Sequence, residues 1–237
     1  PARFPTLVKA LSDGALALLI ETRAASQGLL HEQIGQNRAV LAPFHVEQQV
    51  DFTEDATLSG QLWAIRKGTF PAVGAVRPTG TTVIIEDVTF PIPQLAEGVN
   101  RLIKLFEKHS YHEAILFGHA LEGNLHFVFT QSFDDPAQVE RYAAFMGEVA
   151  QLVAVEFGGS LKAEHGTGRN MAPFVELEWG TDAYQLMWKI KRLLDPQGIL
   201  NPDVVLSEDP RTHLKNLNPL PAAHVLNPPS PPLYPSA

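Results

Sequence analysis

Apolar and polar positions change period along the chain and divide it into elements. Residues 15–21 form a short continuous apolar run and read as a buried strand, and 55–67 read as a helix. Residues 82–88 are rich in β-branched side chains and predict a strand. Pro93 opens a helix that carries Leu95, Val99, Leu102, Ile103 and Phe106 on one face. Two β-favouring runs, 114–121 and 124–129, flank Glu122-Gly123 and predict a hairpin. Asp135-Pro136 then supplies an N-cap and a first-turn proline, with Gln138 at the capping-box position. Val139, Tyr142, Met146, Val149 and Val153 form the inner stripe of the helix that follows. Gly158-Gly159 ends it, and 160–163 is expected to return as a short strand. A last helix begins near Asp182, carries Leu186, Met187, Ile190 and Leu193, and stops at Asp195-Pro196-Gln197-Gly198.

The order β-α-β-β-α-β predicts an α+β fold: a ferredoxin-like antiparallel sheet with both helices on one face, followed by a C-terminal helical segment. Residues 207–237 read as a separate segment, rich in proline from Asn216 onward, which suits an extended linker to a further module or a disordered tail. The first residue, Pro1, points to a processed or excised piece.

Composition narrows the chemistry. With 45% hydrophobic and 19% charged residues the chain reads as an ordinary globular protein, without a membrane-spanning run or an N-terminal signal pattern. Cysteine is absent, which excludes disulfides, thiolate nucleophiles and Cys-held metals within the chain. A net charge of −8 argues against nucleic acid as a partner, so an anionic substrate must meet a local basic patch.

The candidate chemistry starts at the hairpin. A two-residue turn at Glu122-Gly123 sets His119 directly across from His126, with Cβ atoms about 4.5–5.5 Å apart. At that spacing two imidazoles can share one divalent ion at about 2.0–2.1 Å per bond. A turn at Gly123-Asn124 would oppose His119 to Val128 instead and break the pair. Glu164 completes a two-histidine, one-carboxylate set that leaves positions open for substrate and accepts zinc, iron or manganese. The bland alternative is a hairpin whose imidazoles bond to backbone or to each other. His165, next to Glu164, has the titration range of a general base. Gly166-Thr167-Gly168 lacks the GxGxxG spacing and suits a tight turn or close backbone approach to a ligand. Arg66, Lys67, Arg77 and Arg169 are the candidate carboxylate binders, the arginines favoured by their planar geometry.

Three blocks in this order resemble one family. They are Gly118-His119 with Glu122-Gly123-Asn124-Leu125-His126, then Ala163-Glu164-His165-Gly166-Thr167-Gly168, then Lys191-Arg192-Leu193-Leu194-Asp195-Pro196-Gln197-Gly198-Ile199-Leu200-Asn201-Pro202. The chain resembles the C-terminal substrate domain of FAD-linked oxidases that act on D-2-hydroxy acids, the group of D-lactate, glycolate and D-2-hydroxyglutarate dehydrogenases. The resemblance covers roughly residues 15–206, so 1–206 reads as the substrate domain.

It implies that His119, His126 and Glu164 are metal ligands, that His165 is the active-site histidine, that Asn201 lies against the flavin, and that Arg66 grips the substrate carboxylate. It also implies a parent polypeptide with an N-terminal FAD domain, and its proline-rich tail resembles the connector to an iron–sulfur domain carrying a 4Fe-4S cluster. A cytoplasmic location, or attachment at the inner face of the membrane, is the matching expectation. The isolated chain is expected to be inactive. Some D-2-hydroxyglutarate enzymes carry a lysine where this chain has Ile85 and an asparagine where it has Val128. Arg77 or Thr81 is the expected compensation at the substrate's far end. Two rival readings are a self-contained metallohydrolase using the same three ligands and a non-catalytic ferredoxin-like binding module.

Overall fold

The computed structural model describes residues 12, 15–47 and 52–217. The chain divides into two compact units, Pro1–Ala72 and Val73–Ala237. In the first, α1 (Gln27–Leu41) is capped by Ser26, whose hydroxyl accepts from the Leu29 N–H. Helix α2 (Ala56–Val76) starts where Asp55 Oδ1 accepts from the Thr57 N–H at 2.8 Å. It runs past residue 67 through Gly68 and Pro71, two residues of low helix propensity. The expected strand at 15–21 does not form: Leu16 is 92% and Leu18 66% exposed. A strand requires a ladder partner, and among the described residues no segment pairs with this one.

The second unit is built on three antiparallel strands, β1 (Thr82–Thr89), β2 (Ile115–His119) and β3 (Asn124–Gln131), in the order β1-β3-β2. Helix α3 (Leu95–Lys108) follows a 3-10 turn at Ile92–Gln94. Helix α4 (Pro136–Ala150) is capped by Asp135, whose Oδ1 accepts from the Ala137 N–H at 2.9 Å, and continues as a π-helical turn over Gln151–Glu156.

Alternation along the strands decides the two faces. Ile84, Val88, Leu125, Phe127 and Phe129 point to the helices and join Leu102, Phe106, Tyr142, Phe145, Met146, Val149 and Val153 in one core. Phe106, Phe129 and Phe145 pack at ring-centre distances of 5.1–6.2 Å. Val139 and Val99 sit at its margin, whereas Ile103, expected on the inner face of α3, is exposed. The other face carries Asp87, Ile85, His126, Val128, Phe117 and His119.

The fourth strand of the ferredoxin-like pattern is reduced to one antiparallel bridge. Thr89 and Ser160 exchange both backbone bonds, at 2.8 and 3.0 Å. Beyond that point the N–H groups go to side chains instead of a ladder. Leu161 donates to Glu178 Oε2, and Glu164 and His165 both donate to Asp87 Oδ2.

The hairpin register also differs from the expectation. His119 pairs with Asn124, and His126 pairs with Phe117. The turn is longer than two residues: Ala120–Glu122 forms a 3-10 turn and Gly123 takes φ +69°. A Cβ on Gly123 would lie 2.1 Å from the Phe90 carbonyl oxygen, so only glycine fits this turn against the end of β1. The slip is two residues, which leaves both histidines on one face; a slip of one would have separated them.

After the loop at 160–167 come three short or amphipathic helices: α5 (Gly168–Met171), α6 (Val175–Trp179) and α7 (Thr181–Leu194). The last helix forms where the sequence places it, and its Leu186, Ile190 and Leu193 are exposed. The helix is held by Tyr184, whose hydroxyl donates to the Ser207 carbonyl. Residues 207–217 stay on the unit, with Thr212 and His213 buried and Leu214 and Leu217 against the core. The proline-rich stretch from 218 lies outside the described residues.

His213 sits between Phe174 and Tyr142 with neither ring nitrogen bonded among the described residues. Burial pushes its pKa down to about 4. A folded-state pKa below the unfolded value means that its contribution to stability is full above about pH 6.5 and lost as pH falls towards 4. His213→Phe is therefore expected to flatten the loss of stability between pH 7 and 5, measured as urea midpoints at the two pH values.

Candidate active site

The site face of the sheet collects its polar groups at one end. His126 stands on β3 with Asp87 opposite it on β1. His119 ends β2, and the loop after the Thr89–Ser160 bridge brings Glu164 and His165 over them. Glu164 Oε1 lies 3.0 Å from His126 Nε2 and 3.6 Å from His119 Nε2. One ligand atom from each of these three residues falls within 4.8 Å of the others.

This donor set fits a divalent ion. Tetrahedral bonds of about 2.0–2.1 Å place neighbouring ligands roughly 3.3 Å apart, and the two measured separations bracket that value. His119 and Glu164 are about half exposed and His126 is nearly buried, so the set is anchored on one side and open on the other. Burial, and then the neighbouring His165, push the His126 pKa down and keep its ring neutral, the form that ligates.

A second grouping, Asp87, His126 and His165, is as compact. The His126 and His165 rings, however, stack at 4.8 Å with 14° between planes. An ion in the plane of one ring lies out of the plane of the other, so this set does not form a ligand cage. His165 instead stands beside the first set. Its Nδ1 faces Asp87 Oδ1 at 3.6 Å and its Nε2 lies 3.8 Å from Glu164.

Asp87 ties the arrangement together. Its side chain is fully buried. Its Oδ2 accepts the Glu164 N–H at 2.6 Å and the His165 N–H at 3.2 Å, and Oδ1 accepts Lys162 Nζ at 3.2 Å. Burial pushes its pKa up, but the Glu164 and His165 N–H groups and the Lys162 ammonium together hold it below the usual carboxylate value. Lys162 also donates to Glu86, the buried neighbour on the opposite face of β1, and Asn170 Nδ2 donates to Glu86 Oε1 at 2.7 Å. Neither Asp87 nor Lys162 is visible as a site residue in the sequence. An acidic pair near a strand end, Glu86-Asp87, with Pro91 four residues on, was the available signal, and the strand register was needed to place it beside His126.

The remaining expected residues are placed differently. Arg66 stands on α2 in the first unit, while the histidine centre belongs wholly to the second. Thr81 donates its hydroxyl to the Pro78 carbonyl at 2.8 Å, closing a turn. It precedes the end of β1 where Thr82 pairs with Gln131, five residues and roughly 17 Å along the strand from the Asp87–His126 pair. Arg77 lies before that turn, so neither residue joins the centre. Asn201, at φ +44°, ends a turn organised by Asp195, which accepts the N–H groups of Ile199 and Leu200 at 3.0 and 2.9 Å.

An antiparallel sheet with helices on one face and an open two-histidine, one-carboxylate cluster on the other defines an α+β domain. The chain belongs to the family of FAD linked oxidases, C-terminal domain, whose model matches residues 5–205. It is similar to the glycolate oxidase subunit GlcD of Bacillus subtilis (strain 168), with 30% identity over 166 residues, 70% of this chain and 34% of that protein. It is also similar to the mitochondrial D-lactate dehydrogenase [cytochrome] of Arabidopsis thaliana, 33% identical over 68% of this chain and 28% of the relative. The probable mitochondrial D-2-hydroxyglutarate dehydrogenase of Oryza sativa subsp. indica is 29% identical over 65% and 26%. The matched region is thus about a third of each relative's length or less. Among the described residues no helix is long and apolar enough to cross a membrane.

Asp87→Asn keeps the shape of the side chain and removes the charge that holds the Glu164-His165 backbone. It is expected to weaken zinc or manganese binding by about 10–100-fold with the fold retained, as measured by titration calorimetry and circular dichroism.

Proposed function

We propose that this chain is the substrate- and metal-binding domain of a flavin-dependent dehydrogenase that oxidises a D-2-hydroxy acid, of the D-lactate or D-2-hydroxyglutarate class, to the 2-oxo acid. The observation that carries this reading is the convergence of His119, His126 and Glu164 beside His165 in a member of the FAD-linked oxidase family. FAD would be held outside this chain and would supply the acceptor for the C2 hydride of the substrate; His119, His126 and Glu164 would hold a zinc, iron or manganese ion, which would supply a Lewis acid for the substrate hydroxyl.

The chain's own groups supply the rest. His165 receives the hydroxyl proton at Nε2, the nitrogen turned away from Asp87. Asp87 faces Nδ1 and stabilises the imidazolium that forms. The buried His126 and the sheet exclude water from one side, while the exposed His119 and Glu164 leave the other side open to substrate. Arg66 is the proposed clamp for the C1 carboxylate, and Asn201 meets the flavin in the assembled parent. That parent carries an N-terminal FAD domain and, after the proline-rich segment, an iron–sulfur domain with a 4Fe-4S cluster.

The test is anaerobic. In the full-length parent, one D-2-hydroxy acid from a panel of D- and L-acids is expected to bleach flavin absorbance rapidly. A folded parent without flavin would overturn the reading. His119→Ala is expected to lower the bleaching rate by about 10²-fold or more while flavin content stays at the wild-type level. Wild-type turnover in that variant would remove the metal from the mechanism.

A further inference from the structure

A cleft of about 350 Å³ opens beside His165, between β1 and the loop that carries Glu164. Its walls include Ile85, Glu86, Lys162, His165, Arg169 and Asn170. Most of its charge is already committed. Glu86 is buried and bonded to Lys162 and Asn170, and Lys162 is shared with Asp87. Arg169 differs: it is half-buried, and among the described residues its guanidinium has no carboxylate partner. The carboxylate of Asp209 is paired with the nearby Lys215, at 2.5 Å.

The backbone of the same wall adds donors. Gly166 and Gly168 take φ +73° and +63°, with Thr167 between them at φ −62°. Alternating left- and right-handed residues turn successive N–H groups towards one side, a concavity that suits an anion. Among the described residues neither the Gly166 nor the Thr167 N–H has a protein acceptor. A Cβ at Gly166 or Gly168 would meet nothing within 4 Å, so the backbone conformation, not crowding, is what calls for glycine there.

The floor between this wall and the metal ligands is apolar. Ile85 and Val128 face each other across β1 and β3, one step along the site face from Asp87 and His126. A substrate whose hydroxyl sits at His165 would run its carbon chain over Ile85 and end near Arg169.

We propose that Arg169, assisted by the Gly166-Thr167-Gly168 backbone, anchors a second anionic group at the far end of the substrate, so that the domain selects a 2-hydroxy dicarboxylate over a short monocarboxylate. This rests on the dehydrogenase reading above and names the substrate class within it. Planar guanidinium holds a carboxylate with two parallel bonds, which a lysine reproduces only in part.

The experiment uses the full-length flavoprotein with D-2-hydroxyglutarate and D-lactate, and compares wild type with Arg169→Met and Arg169→Lys. Wild type is expected to favour the dicarboxylate. In Arg169→Met the ratio of kcat/KM for the dicarboxylate to that for D-lactate is expected to fall about 10–100-fold, mainly through KM, with partial recovery in Arg169→Lys. An equal fall for both acids, or no change in the ratio, overturns the proposal, as does a wild type that turns over only the monocarboxylate. Those outcomes leave the dehydrogenase reading standing. A flavin-replete wild type that oxidises neither acid nor any other 2-hydroxy acid overturns both.

Discussion

The Asp87 carboxylate is the constraint on which the site depends. Putting a charge in a fully buried position costs several kcal/mol unless it is compensated. Here two backbone N–H groups and a lysine do so, and all three come from the segment 162–165. The same contacts therefore stabilise the carboxylate and hold Glu164 and His165 over the sheet. Without them that segment is fixed to β1 by the Thr89–Ser160 bridge and the Lys162–Glu86 pair. This also explains why the fourth strand is missing. Donors that would have continued the ladder are turned inward to Asp87, and the loop sets Glu164 and His165 side by side over the sheet where a regular strand would have alternated them.

Strand alternation sorts the two acids at the end of β1. Glu86 points to the helices and Asp87 to the site face, and Lys162 reaches both from the sheet edge. The pairing links the core to the chemistry. Glu86 is also bonded to Asn170 of α5, so the turn that precedes α5, with its glycines and Arg169, is referenced to the same strand. One face of the sheet is a packed aromatic core of Phe106, Phe127, Phe129 and Phe145, which rigidifies the strands. Precise placement of Asp87, His126 and His119 on the other face follows from that rigidity.

Much of this was legible in the sequence. The period of Leu95, Val99, Leu102 and Phe106 and the Asp135-Pro136 cap located α3 and α4, because amphipathic period and cap chemistry are local properties. His119, His126 and Glu164 were legible as a set because the ligand types are few and the hairpin runs flank a glycine turn. The exact register was not, since it depends on Gly123 seating against Phe90, a contact between segments more than thirty residues apart. The parity of the histidines survived this error because side chains repeat every two residues.

What the sequence determined by itself was whatever short-range periodicity and residue chemistry can specify: an α+β order, the helix that presents Tyr142 and Met146, and three ligand-type residues near glycine turns. Tertiary structure decided what depends on distant partners. It left 15–21 without a ladder and the α7 stripe exposed, because burial requires a second surface. It assigned Asp87 its role, because a buried charge is defined by the groups that compensate it, and those lie 75–78 residues away.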